Sequence, residues 1–185
     1  MRKFSLIAVA LCLLAFVVVG NARAEGNNIG LGYQNMVAGE LLQGISLRGW
    51  VDKIMWEGTI FYGDAEVEIE NQSLLDADMW LLEAKGAYSL IQKPNSDFYV
   101  GMSLAYGTAS VDLYEGSMDV DIDVLAFGPM FGVEYRFQGI PELGFNFETG
   151  YKFTDMDLEE ADIDTDDIEI SLNGVYVVVG LHYYF

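Results

Sequence analysis

The chain has 185 residues with 29 Asp and Glu against 9 Lys and Arg, a formal charge of −20, yet 52% of it is hydrophobic and 14% aromatic. So much aromatic and apolar side chain excludes an acidic disordered tail, and 20 Gly without a three-residue period beside only 3 Pro exclude a collagen-like or proline-rich chain. Nucleic acid is not an expected partner, because too few bases are present to neutralise phosphates.

The first element is an address. Arg2 and Lys3 precede an apolar run from Phe4 to Gly20, followed by Ala22-Arg23-Ala24, the small-x-small pattern of a secretory signal peptide. Residues 1–24 read as a cleaved signal peptide and residues 25–185 as one domain. Cys12 lies inside the apolar run behind the bulky Leu11, which speaks against lipoprotein cleavage there. The exported part then holds no cysteine and cannot rely on disulfides in an oxidising compartment. Loss of Arg2, Lys3 and Arg23 leaves it three charges more negative than the whole chain.

After Ala24 no stretch shows apolar residues at i, i+3 and i+4, whereas period-two alternation recurs throughout. Eight runs follow in chain order: 28–36, 43–51, 54–63, 77–91, 98–109, 119–137, 143–153 and 168–185. In the seventh, Leu143, Phe145, Phe147, Thr149, Tyr151 and Phe153 form one face, against Gly144, Asn146, Glu148, Gly150 and Lys152. The fourth sets Trp80, Leu82, Tyr88 and Leu90 against Glu83, Lys85, Ala87 and Ser89.

Alternation does not say which face meets which medium. A soluble lipocalin-like barrel turns its apolar face inward; a membrane barrel does the reverse. The polar face is rich in Gly, Ala and Ser, which suits a crowded interior. Aromatic residues gather at run ends, Trp50, Trp56, Phe98, Tyr135, Phe137, Tyr183 and Phe185 at one level and Tyr62, Trp80, Tyr106, Tyr151 and Phe153 at the other, as two interfacial girdles would place them. Connections alternate between short (52–53, 92–97, 138–142) and long (63–75, 110–118, 154–167). About ten residues rising roughly 3.3 Å each at a tilt of about 40° cover about 25 Å, the height of a lipid-facing band. The expected fold is all-β: an eight-stranded antiparallel up-and-down transmembrane β-barrel in a bacterial outer membrane, surrounded by outer-membrane lipids, with both termini at the periplasmic rim.

The eight runs and the terminal segment Val179-Gly180-Leu181-His182-Tyr183-Tyr184-Phe185 resemble the small OmpA/OmpX-type outer-membrane β-barrels, and Gly128 to Phe137 is similar to barrel strands of that class. The resemblance spans the mature chain in pattern. It implies that Leu181, Tyr183 and Phe185 form the signal read by the barrel assembly machinery; with the sequence ending at Phe185, no periplasmic domain of the OmpA kind is expected. Pro129 departs from the pattern by removing a ladder hydrogen bond, and the apolar phase changes between Val120-Ile122-Val124 and Leu125-Phe127-Phe131, so a bulge is expected between Ile122 and Pro129.

With the apolar face outward, Arg48, Glu57, Glu83, Lys85, Glu134, Arg136, Glu148 and Lys152 point inward. If Asp52-Lys53 is a two-residue turn, Arg48 stands opposite Glu57. An eight-stranded barrel is just wide enough to be filled by side chains, so the expectation is a paired, plugged interior; the alternative is a narrow or gated pore. A lipid hydrolase or acyltransferase is the third reading. It needs a nucleophile and base in reach, and the only histidine, His182, has no Gly-x-Ser-x-Gly elbow beside it, so no catalytic residue is assigned.

Three segments, 63–78, 110–123 and 154–169, hold 20 of the 29 acids and no Lys or Arg. Alternation continues through Ala65 to Glu70 and Asp119 to Val124, so strands are expected to project past the membrane. Acids at alternate places on neighbouring strands repel unless cations sit between them. Asp119, Asp121, Asp123, Asp155, Asp157, Glu159, Asp164 and Asp166 are candidate weak sites for Ca²⁺ or Mg²⁺. Residues 155–166 are not an EF-hand, since Glu160 stands where the turn glycine belongs. No other cofactor is implied; a basic partner at the cell surface is the competing use of this rim.

Overall fold

The computed structural model describes residues 29–37, 41–69, 72–113, 118–159 and 168–185. The signal-peptide segment, Asp164 and Asp166 lie outside them. Eight strands follow one another: β1 (Ile29–Val37), β2 (Leu41–Val51), β3 (Ile54–Ile69), β4 (Gln72–Lys93), β5 (Ser96–Leu113), β6 (Met118–Phe137), β7 (Ile140–Glu159) and β8 (Ile168–Tyr184). Each pairs antiparallel with its sequence neighbours, and β1 pairs with β8 to close the barrel. The Phe185 N–H donates to the Ile29 carbonyl at 2.9 Å, so β1 begins and β8 ends at the same rim.

That rim carries the tight connections. Val51 pairs with Ile54 across Asp52-Lys53, and Asp52 takes a left-handed φ of 53°, a conformation aspartate tolerates better than most residues. At the opposite rim the strands run on past the apolar band, in line with the alternation through Ala65 to Glu70 and Asp119 to Val124, and so take up residues expected in the connections. Most of the long connections expected at 63–75, 110–118 and 154–167 is ladder: β3 reaches Ile69 and β4 resumes at Gln72, β5 reaches Leu113, and β7 runs to Glu159. Two-sided hydrogen bonding continues wherever a neighbour is long enough to supply it. We call this the tall rim.

Outside the few register irregularities, the described side chains alternate between lumen and exterior. Between Trp56 and Tyr62, Trp80 and Leu90, Phe98 and Tyr106, Leu125 and Phe137, and Phe145 and Phe153, the outward phase carries no charged residue. Ile60, Met102, Phe131 and Leu181 are among the large apolar side chains exposed there. A contiguous apolar belt around a closed barrel would be a strong aggregation hazard in water; a closed barrel in lipid satisfies its backbone internally and buries that belt. This apolar belt is a lipid-facing surface. Leu181, Tyr183 and Phe185 all stand on it.

Two expectations fail here. No bulge lies between Ile122 and Pro129: β5 keeps one register through Met102↔Pro129, and β6 and β7 share one register on both sides of the proline, at Phe127↔Phe153 and Met130↔Gly150. Gly128 absorbs the disturbance. A Cβ there would sit 1.8 Å from the Tyr151 carbonyl oxygen, so the glycine lets β7 come close where Pro129 has no N–H to offer. The irregularities fall elsewhere, at Val67/Glu68, Ser89/Ile91 and Arg136/Phe137. Trp50 is the second correction. It faces the lumen, not a girdle, packed edge-on against Tyr99 at 5.6 Å between ring centroids.

Candidate functional site

The lumen is filled by a polar network to which every strand contributes. Arg48 on β2 is its hub. Its Nε ion-pairs with Glu57 on β3, Nη2 with Glu148 on β7, and Nη1 with Glu134 on β6 at 3.0 Å. The two-residue turn fixes only the first of these, by placing Arg48 in register with Glu57. The other two cross the lumen. Lys85 on β4 joins Glu57 at 2.8 Å to Glu148 at 2.7 Å, and also approaches Glu83 at 3.3 Å. Lys152 pairs with Glu83 at 2.7 Å, and Arg136, partly exposed near the short-turn rim, pairs with Glu134 at 3.1 Å. The four acids and four bases thus lie in one set, and Arg48, Glu57, Glu83, Lys85, Glu134, Glu148 and Lys152 are buried.

Neutral groups complete it. The Tyr99 hydroxyl on β5 donates to Glu148 at 2.7 Å, and the Tyr184 hydroxyl on β8 donates to Glu134 at 2.6 Å. Gln34 on β1 donates to Glu57 at 2.9 Å, and Asn146 to Glu148 at 3.2 Å. The Arg136 guanidinium stacks 4.3 Å from the Tyr184 ring centroid. Charges taken out of water are tolerable only when matched in this way, and removing one partner of a buried pair typically costs about 3–5 kcal/mol. The tyrosines and amides carry no signal in the sequence. Their positions became meaningful only when the curvature of the barrel brought β5 and β8 against β6 and β7.

His182 on β8 is fully buried. Its Nε2 lies 2.7 Å from Ser46 Oγ on β2, 3.4 Å from Gln34 Nε2 and 3.5 Å from Glu57 Oε2. Gly32 stands between the two strands and makes this contact feasible: a Cβ there would lie 2.3 Å from the imidazole ring. A hydroxyl and an imidazole are therefore in hydrogen-bond reach, a pairing invisible in sequence because the residues are far apart along the chain. The carboxylate nearest the ring meets the same nitrogen as Ser46, and Nδ1 has no hydrogen-bond partner among the described residues. Ser46 is buried as well. The arrangement is that of a packed polar core, not of a base oriented through its second nitrogen towards an accessible nucleophile.

At the tall rim the chemistry of the two faces inverts while the phase is kept. On β3 and β4, Tyr62 pairs with Trp80, and one outward step further Asp64 pairs with Asp78. On β6 the outward Phe127 and Leu125 are followed by Asp123, while Val124 and the half-buried Ile122 lie on the luminal side. The phase change seen in the sequence is thus a change of composition, not of register. Acids occupy paired register positions on successive strand pairs: Glu66↔Asp76, Asp76↔Asp112, Asp112↔Asp119, Asp121↔Glu159, Asp123↔Asp157 and Asp157↔Glu169. Asp155 is exposed on the same phase, opposite Leu125. Among the described residues, no group of three or more acidic or histidine side chains converges as a metal-ligand set.

No family model matches the chain, and no curated protein matches it. Solved structures do resemble it. Neisserial surface protein A is 17% identical with a TM-score of 0.49, over 85% of this chain and 95% of that one. The N-terminal β-barrel domain of Pseudomonas aeruginosa OprF is 14% identical with a TM-score of 0.47, over 86% and 98%. The attachment invasion locus protein Ail of Yersinia pestis is 12% identical with a TM-score of 0.45, over 85% and 95%. These are distant likenesses of shape; the architecture rests on the chain's own ladder, which closes as an eight-stranded antiparallel up-and-down barrel with a lipid-facing exterior.

Proposed function

We propose that the protein is an integral barrel of the bacterial outer membrane whose interior is sealed and whose work is done at the tall rim, exposed at the cell surface. The observation that carries this reading is Arg48, held by carboxylates from three strands in the middle of the lumen. A cavity of about 150 Å³ at the short-turn rim and one of about 450 Å³ towards the tall rim lie on opposite sides of that network. A plug of matched charges leaves the chain a structural or interaction role instead of a conducting one. Recording from the refolded protein in planar bilayers tests it: the expected trace is flat, and a steady sizeable conductance overturns the seal in favour of a narrow pore.

The acid register at the tall rim supports a second element of the proposal. Like charges on directly opposed strand positions destabilise the ladder unless counterions screen them, and hard divalent cations take several carboxylate oxygens at once. Ca²⁺ or Mg²⁺ would bridge Asp123, Asp157 and their neighbours weakly and at several places. A basic surface partner is the competing occupant, and pull-down with charge-reversed rims separates the two.

A further inference from the structure

Above the ion-pair network the described lining of the lumen turns mainly apolar. Met36, Leu42, Met79, Leu81, Val124 and Met156 line the 450 Å³ cavity, whose size falls within the range of about 300–1,000 Å³ typical of small-molecule sites. Methionine side chains adapt to varied apolar shapes. At the floor, the Lys152 ammonium donates to Glu83 at 2.7 Å and lies 4.6 Å from the Tyr176 ring centroid, so the one cationic group among the described lining residues is already matched. An anion entering here would have to displace Glu83 and pass a rim of acids. An uncharged apolar molecule meets neither obstacle.

The cavity also has a way in. β1 stops at Val37 and β2 starts at Leu41, whereas β3 and β8 continue upward. Among the described residues, Gly63–Ile69 pair only with β4, and Ile168–Tyr176 only with β7. Among the described residues, the upper wall is therefore interrupted beside β1 and β2, beyond the Gln43↔Tyr62 rung. Asn173, Gly174 and Val175 border the cavity at that free edge, and a Cβ at Gly174 would meet nothing within 4 Å.

We propose that this cavity is a binding site for an uncharged, hydrocarbon-like ligand that enters through the side opening and stops at the Lys152–Glu83 floor. The ligand is a free apolar molecule or a lipid acyl chain, which share this chemistry. The test uses full-length mature protein in lipid nanodiscs with isotopically labelled methionine methyls, titrated with 1-octanol and, separately, with octanoate. Saturable shifts are expected at Met36, Met79 and Met156, while lipid-facing Met102 and deep-lying Met55 stay still. Octanoate should bind about tenfold more weakly, since its charge must be desolvated against acids. Val124→Trp, checked for folding by heat-shift gel, should remove the shifts by filling the cavity, and Met36, Met79 and Met156 responding unchanged in that variant would overturn the site. Parallel, non-saturating shifts at Met102 and the cavity methyls would also overturn it, and octanoate binding as well as 1-octanol would overturn its preference for uncharged ligands. Contacts from lipid acyl protons to Met79 and Met156 before any octanol is added would assign the natural occupant to the membrane; their absence, with octanol bound, assigns it to a free molecule. Conductance does not depend on this outcome, so failure of the seal and failure of the site remain distinguishable.

Discussion

The barrel is two barrels stacked on one ladder. Below Tyr62, Trp80, Leu125 and Phe153 the exterior is apolar and the lumen is charged; above them, among the described residues, Asp64, Asp78, Asp123 and Asp155 take the outward phase while Met79, Val124 and Met156 line the lumen. The backbone passes from one to the other with its alternation intact. The lesson is that inside and outside are not properties of a residue pattern alone. Each face matches the medium it meets: lipid around the lower half, which forces charge inward and demands that it be paired, and water around the upper half, which releases the acids to the surface and leaves the lumen free for methionine and valine.

The largest effect should come from breaking the lower lumen. Arg48→Ala leaves Glu57, Glu134 and Glu148 short of their shared partner and should cost about 3–5 kcal/mol, read as the loss in denaturant unfolding free energy in detergent or bilayer. A loss below about 1 kcal/mol would mean that water already reaches those carboxylates, and would undermine the seal.

The exterior supplies a paired comparison. Phe131→Lys places an ammonium on the lipid-facing belt and should cost about 2–4 kcal/mol if that position lies near the bilayer midplane. Asp64→Lys, on the same outward phase but above the switch in chemistry, should stay within about 0.5 kcal/mol or stabilise slightly by relieving repulsion with Asp78. Equal costs at the two positions would erase the distinction between the halves.

The smallest effect belongs to the rim. Millimolar Ca²⁺ or Mg²⁺ should raise the thermal midpoint, and NaCl of equal ionic strength should not, because general screening does not bridge carboxylates. Equal shifts with both salts would reduce the rim to a solvated surface.

Much of this was legible before any coordinates. Strict period-two alternation can be satisfied only by strands, and residues such as Phe145, Phe147 and Tyr151 facing away from Glu148 and Lys152 show that one face is lipid-like and the other charged. The turn at Asp52-Lys53 fixed the Arg48↔Glu57 rung from sequence, since a two-residue hairpin leaves a single register. Sequence misread Pro129, because a proline predicts a missing hydrogen bond but not that a neighbouring glycine will let the adjacent strand close over it. It also placed Trp50 in a girdle, taking a run-end aromatic for an interfacial one.

The sequence by itself determined the strands, their two faces and the charge balance of the lumen, because a side chain's phase along a strand is a local property. Which carboxylate meets which base was decided by tertiary structure. Arg48 to Glu134 and Glu148, Lys152 to Glu83, and Ser46 to His182 are contacts across or around the barrel, set by how the closed sheet staggers its strands.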